Sequence, residues 1–226
     1  MKLLINVANK FLAILKQLGL IFLYFVLVVM IQLPIINDLE STNIITSNAS
    51  YIFAELLVAT IFIFIFRKYI VPDFYDFKKN GKKYIKKYFK VWFLGLFIMV
   101  VSNLIISSYI GMAVNEELNH SVILKMPVYA FVAMIMIAPV VEELLTRIVL
   151  KKHFNIYVYS LLSGLFFGSL HLLSITSAIE LLYIIPYGAL GFCFAYMYGK
   201  SDNIWTNISF HSLHNLIALI LFFIGV

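Results

Sequence analysis

Of the 226 residues, 63% are hydrophobic and only 12% charged, and the mean hydropathy is +0.98, far from the roughly half-apolar make-up of soluble domains. A sizeable soluble domain is excluded, and lipid is the expected solvent. The net charge of +6 does not mark a nucleic-acid binder, because its lysines crowd into one segment between apolar stretches; the single cysteine, Cys193, excludes a disulfide framework, a thiolate metal cluster and a Cys-Cys redox pair, and reads as a small core residue.

About seven apolar stretches approach the roughly 20 residues that cross a bilayer. The expected fold is an all-α, polytopic transmembrane helical bundle, a single membrane domain over residues 1–226 of a multi-pass protein integral to the plasma membrane. The first helix is predicted at about 11–36. It has the basic head and apolar run of a signal peptide but a long run and no small-x-small cleavage site, so it is expected to be retained. A second helix is predicted at about 51–70. Lys78, Lys79, Lys82, Lys83, Lys86, Lys87 and Lys90 follow. Lysines in such a place face anionic headgroups, and the stretch from Phe74 to Lys90 reads equally as an interfacial amphipathic helix or a solvated basic loop. Further helices are predicted at about 91–113, 122–150, 156–174, 178–199 and 203–225.

The loop charges alternate with these helices. Lys2, Lys10, Lys16, the lysine-rich segment, Lys151, Lys152 and Lys200 fall on one side. Asp38, Glu40, Glu116 and Glu117 fall on the other, with Lys125 as the exception. The positive-inside rule then places the N-terminus in the cytoplasm. No repeat, low-complexity tract or linker interrupts the bundle.

Charged groups at bilayer depth are costly and are normally paired or functional. In the fourth helix Glu142 and Glu143 are adjacent, so their side chains diverge by about 100° and are expected to take two roles. Glu143 and Arg147, acid first at i and i+4, suit an intrahelical ion pair, which leaves Glu142 to face another helix. In the seventh, His211 and Asn215 share a face at i and i+4, while His214 reads as a packing residue at its edge. The fifth helix brings His171 and Phe167, with Gly164 and Gly168 spaced for close helix packing. Glu55 and Glu180 read as interfacial carboxylates in contact with water.

These residues resemble the motifs of the CPBP intramembrane peptidases, the family of Rce1-type CAAX prenyl endopeptidases and bacterial Abi and bacteriocin self-immunity proteins. EExxxR appears as Glu142, Glu143 and Arg147, FxxxH as Phe167 and His171, and HxxxN as His211 and Asn215, over about residues 125–220. The resemblance implies an intramembrane endopeptidase acting on a peptide or lipidated peptide. Glu142 would activate water held by His171, His211 and Asn215 would stabilise the oxyanion, and Glu143, Arg147 and Phe167 would support them. The family is commonly labelled a metalloprotease, but no HExxH pair stands on one helix and a metal-free glutamate mechanism needs the same residues, so no cofactor is favoured. A zinc version would use Glu142, His171 and His211. Two alternatives of other classes are a noncatalytic membrane immunity or scaffold protein and a proton relay or transporter using Glu55, Glu142 and Glu180. The richness in Lys, Ile, Asn and Phe fits a low-GC bacterial source, which favours bacteriocin immunity or peptide-signal processing over prenyl-protein maturation. Membrane lipids and the substrate are the partners expected, and the sequence leaves the oligomeric state open.

Overall fold

The computed structural model describes residues 2–36 and 47–225; Asp38 and Glu40, counted above among the loop acids, lie outside them. The chain runs through α1 (Lys2–Leu27, continued by a π-helical turn, Val28–Gln32), α2 (Ser47–Ile65), α3 (Arg67–Ile110) and α4 (Val114–Lys125). It continues with α5 (Pro127–Arg147), α6 (Ile156–Leu170), a 3-10 turn (Ala178–Tyr183), α7 (Ile184–Ser201) and α8 (Ile204–Ile224). A π-helical stretch, Ala133–Ile137, interrupts α5. Among the described residues there is no strand.

Among the described residues six helices are long and apolar enough to cross a membrane: Leu4–Ile36, Asn48–Ile65, α3, α5, Ala178–Ser201 and α8. The remaining apolar helix, α6, has 15 residues, about 22 Å of rise against a hydrocarbon core of about 30 Å. It stops at Leu170 rather than running to 174, and His171 is its C-cap.

The lysine-rich segment is neither a loop nor a separate interfacial helix. It is the first half of α3, a continuous helix of 44 residues, about 66 Å long at 1.5 Å per residue and so twice the hydrocarbon thickness. Its lysines recur at i+4 along two adjacent rows, while Tyr84, Ile85, Tyr88 and Trp92 pack inward against Leu190, Phe194, Met197 and Phe210. Asp73 Oδ2 accepts from Ile204 N at 2.8 Å, and Asn203 Nδ2 donates to Asp76 Oδ2 at 2.9 Å. Two carboxylates thus sit at the N-terminus of α8, where the helix dipole favours them.

Side-chain contacts gather the basic turns at one end of the bundle. Lys10 lies over Phe154, Lys152 over Tyr69, and Lys151 pairs with Asp202. The opposite end holds α4, which follows Gly111, a residue at φ +86° that favours glycine, and whose carbonyl accepts from the Tyr183 hydroxyl.

The helix carrying the paired glutamates is fastened at its C-terminal end. The last carbonyls of a helix lack intrahelical donors, and here side chains from α1 and α6 supply them: Gln17 Nε2 to Leu145 O at 2.5 Å, Ser163 Oγ to Thr146 O at 2.7 Å and Tyr159 Oη to Arg147 O at 3.1 Å. α6 and α7 form the most extensive helix pair. At Gly164 a Cβ would meet Phe192 N at 2.7 Å and Gly188 O at 2.8 Å, both backbone. Gly164→Ala is therefore expected to lower stability by about 1–3 kcal/mol, seen as a reduced unfolding temperature in detergent.

Candidate active site

Glu143 and Arg147 form the expected pair, fully buried and bidentate: Arg147 Nε donates to Oε2 at 2.7 Å and Nη2 to Oε1 at 2.9 Å. Nη1 donates to Ser163 Oγ at 2.9 Å, and the guanidinium lies 4.9 Å from the Phe167 ring centroid. Two further donors reach Glu143 from α8. His211 Nδ1 lies 3.1 Å from Oε1, and Asn207 Nδ2 donates to Oε2 at 3.0 Å. Each carboxylate oxygen thus accepts twice, and the buried charge is satisfied by four donors.

Sequence reasoning missed Asn207. The signal was present, because Asn207, His211 and Asn215 stand at i, i+4 and i+8 and form one row along α8. Tyr187, also missed, stacks on His171 with ring centroids 4.6 Å apart, while Phe194 stacks on His211 at 5.2 Å.

Glu142 points away from this pair, as adjacency requires. Its Oε2 lies 3.9 Å from His171 Nε2 and 3.8 Å from His211 Nε2, with no hydrogen-bond partner among the described residues. The protons on the two rings follow from their other nitrogens. His171 Nδ1 lies 2.9 Å from Phe167 O, which only accepts, and His211 Nδ1 faces a carboxylate, so both Nδ1 atoms carry hydrogen. Each ring therefore turns Nε2 towards Glu142 in a fixed orientation.

Asn215 occupies the same cavity but is partly committed. Ala138 N–H donates to Ala133 O, and Pro139 has no N–H, so Met134 O has no helical donor in either the α or the π register. Asn215 Nδ2 donates to it at 2.6 Å, leaving the second amide hydrogen for the cavity. Asn215→Leu is expected to cost about 1–3 kcal/mol of stability by orphaning that carbonyl, which thermal unfolding without substrate measures.

Glu142, His171, His211 and Asn215 line one cavity of about 310 Å³, with Tyr24, Asn115 and Asn119. His214 is not among the lining residues, and its Nδ1 is buried without a partner among the described residues. Glu55 and Glu180, read from the sequence as interfacial carboxylates, both have side-chain partners. Glu180 is 8% exposed and accepts from Thr176 Oγ1 at 3.0 Å. Glu55 accepts from Tyr129 Oη at 2.5 Å and shares a small cavity of about 50 Å³ with Glu142 and Tyr24.

Residues 124–217 match the family model described as Type II CAAX prenyl endopeptidase Rce1-like. Over 155 residues, 63% of this chain, the sequence is 27% identical to a Bacillus subtilis (strain 168) protein named "Putative membrane peptidase YdiL"; the match spans 60% of that relative's length. No solved structure matches the chain. The matched segment contains the paired glutamates, Arg147, both cavity histidines and Asn215. With six helices among the described residues long and apolar enough to cross a bilayer, the chain is an integral, multi-pass membrane protein whose matched segment is similar to the Rce1-like CAAX prenyl endopeptidases.

Proposed function

We propose that the chain is an intramembrane endopeptidase in which Glu142 activates water for attack on a peptide carbonyl. The observation carrying this reading is the convergence of Glu142 Oε2 with two imidazole Nε2 atoms at 3.8 and 3.9 Å inside a cavity. A water placed between them can hydrogen-bond to Glu142 and His171. Glu142 takes its proton as the oxygen bonds to the carbonyl carbon, and the charge passes to the carbonyl oxygen. His211 Nε2–H and the second Asn215 amide hydrogen donate to that oxyanion. Glu143 at His211 Nδ1 compensates the extra proton: Arg147, Glu143, His211 and Glu142 then carry charges that sum to zero. The proton on Glu142 passes to the leaving nitrogen as the C–N bond breaks, giving a carboxylic acid and an amine.

Glu142, His171 and His211 are also a zinc donor set, with Nδ1 hydrogen bonds of the kind that orient metal-bound histidines. A zinc ion held there would supply a Lewis acid. The metal-free reading is preferred on geometry. Tetrahedral bonds of about 2.05 Å place ligand atoms about 3.4 Å apart, closer than the separations here, and no group of three among the described residues is poised to hold a metal. We further propose that the basic end of the bundle faces the cytoplasm. The test is the purified protein in nanodiscs with a set of apolar peptides, products read by mass spectrometry, with and without chelator. Cleavage that survives chelation supports the glutamate reaction, loss restored by zinc supports the metal version, and no cleavage of any peptide refutes both.

A further inference from the structure

Glu55 is an acid within a membrane span that the reaction above does not use, and it lies outside the matched residues 124–217. It stands seven residues into the span Asn48–Ile65, about 10 Å from its end. An acid at that depth is costly and normally functional. Asn48, Tyr51 and Glu55 share one face of α2, at i, i+3 and i+7, and Tyr129 near the start of α5 meets all three. Tyr129 N donates to Asn48 Oδ1 at 3.0 Å, its ring centroid lies 5.2 Å from that of Tyr51, and its hydroxyl donates to Glu55 Oε1. Gln32, in the π-helical turn after α1, forms a second hydrogen bond to the Glu55 carboxylate. The acid is held in place from two helices.

Glu55 shares its surroundings with Glu142. The two carboxylates border one cavity of about 50 Å³, completed by Tyr24, Gln32 and apolar residues of α2 and α5. Glu142, Tyr24, Ala138 and Val141 also line the larger cavity, so the two spaces adjoin at the proposed base. A buried water needs about 10–15 Å³ and two to four polar partners. The small cavity has that volume and four polar side chains. A water there donates one hydrogen to each carboxylate and accepts from the Tyr24 hydroxyl and the second amide hydrogen of Gln32, which completes its bonding. No lysine, arginine or histidine lines this cavity. The groups that receive the oxyanion, His211 and Asn215, line only the larger one. During attack, negative charge leaves Glu142 for the carbonyl oxygen beside them, and so moves away from Glu55. Repulsion between the two carboxylates is relieved in the transition state, which favours the step.

We propose, resting on the peptidase reading, that Glu55 is a positioning residue for Glu142: with Tyr24 and Gln32 it holds a water that bridges the two carboxylates, and its charge assists proton transfer from the attacking water to Glu142. The experiment has two arms. A crystal structure of the wild-type chain, at a resolution that shows ordered water, is expected to place one within hydrogen-bond distance of both carboxyl groups; a dry small cavity overturns the proposal. In nanodiscs, with a peptide that the wild type cleaves, Glu55→Gln is expected to lower kcat about tenfold with KM and unfolding temperature unchanged. Glutamine keeps an acceptor for Tyr129 and removes only the charge, so a residue that merely braced α2 against α5 would leave kcat alone. Unchanged kcat overturns the proposal, as does a kcat loss matched by a fall in unfolding temperature. If Glu55→Gln does not fold, Val58→Leu takes its place: it fills the small cavity, expels the water and leaves both carboxylates, and unchanged kcat again overturns the proposal. A bridging water in a wild-type chain that cleaves no peptide sinks the peptidase reading and leaves the water site standing.

Discussion

Glu142→Gln is expected to lower kcat by about 10²–10⁴-fold, the range for loss of a positioned general base, without destabilising the protein. Its side chain is 25% exposed to the cavity, and Oε2 has no partner among the described residues. Removing its charge orphans no buried donor and relieves two carboxylates, Glu142 and Glu55, that border one small cavity. Peptide cleavage and thermal unfolding should therefore move independently: activity lost, unfolding temperature equal or higher. Unchanged cleavage would remove Glu142 from the reaction, and a large fall in unfolding temperature would mean that its carboxylate is structural.

The neighbouring substitution should behave in the opposite way. Glu143→Gln keeps the shape of the side chain but leaves Arg147 as a fully buried cation without its counter-charge, and breaking such a pair costs about 3–5 kcal/mol. Loss of folded protein is expected, with loss of activity as its consequence. Arg147→Met should be similarly damaging. The double variant Glu143→Gln, Arg147→Met should recover part of the loss, because no uncompensated buried charge remains. Urea or thermal unfolding of the four proteins gives the coupling directly. Single variants as stable as the parent would show that the pair is not what holds α5 to α8.

These two adjacent glutamates illustrate how far the sequence reaches. Their divergence by about 100° follows from helix periodicity alone, so two roles were legible from the position of Glu142 next to Glu143. The ion pair to Arg147 was legible too, since i and i+4 is a property of one helix. What α5 meets was not. Glu143 receives His211 and Asn207 across 68 and 64 residues of sequence, and no local pattern specifies which row of α8 faces which row of α5.

The sequence by itself determined the membrane class of the chain, the position of most apolar helices and the three ordered motifs, because hydropathy and helix periodicity are local quantities. Several features were decided only in three dimensions. The lysine-rich stretch became half of a continuous α3 because its inward row packs on α7 and α8 and its carboxylates cap α8. His171 came within 3.9 Å of Glu142 because Ser163 and Tyr159 of α6 are bonded to the end of α5. Asn215 acquired a second duty because Pro139 and the π-helical stretch strand a carbonyl opposite it. Asn115 and Asn119 of α4 came to line the cavity with Glu116 bonded to Asn103 of α3 and His120 set against Phe222 of α8. In each case a long-range contact chose among local options, and that choice is made by packing.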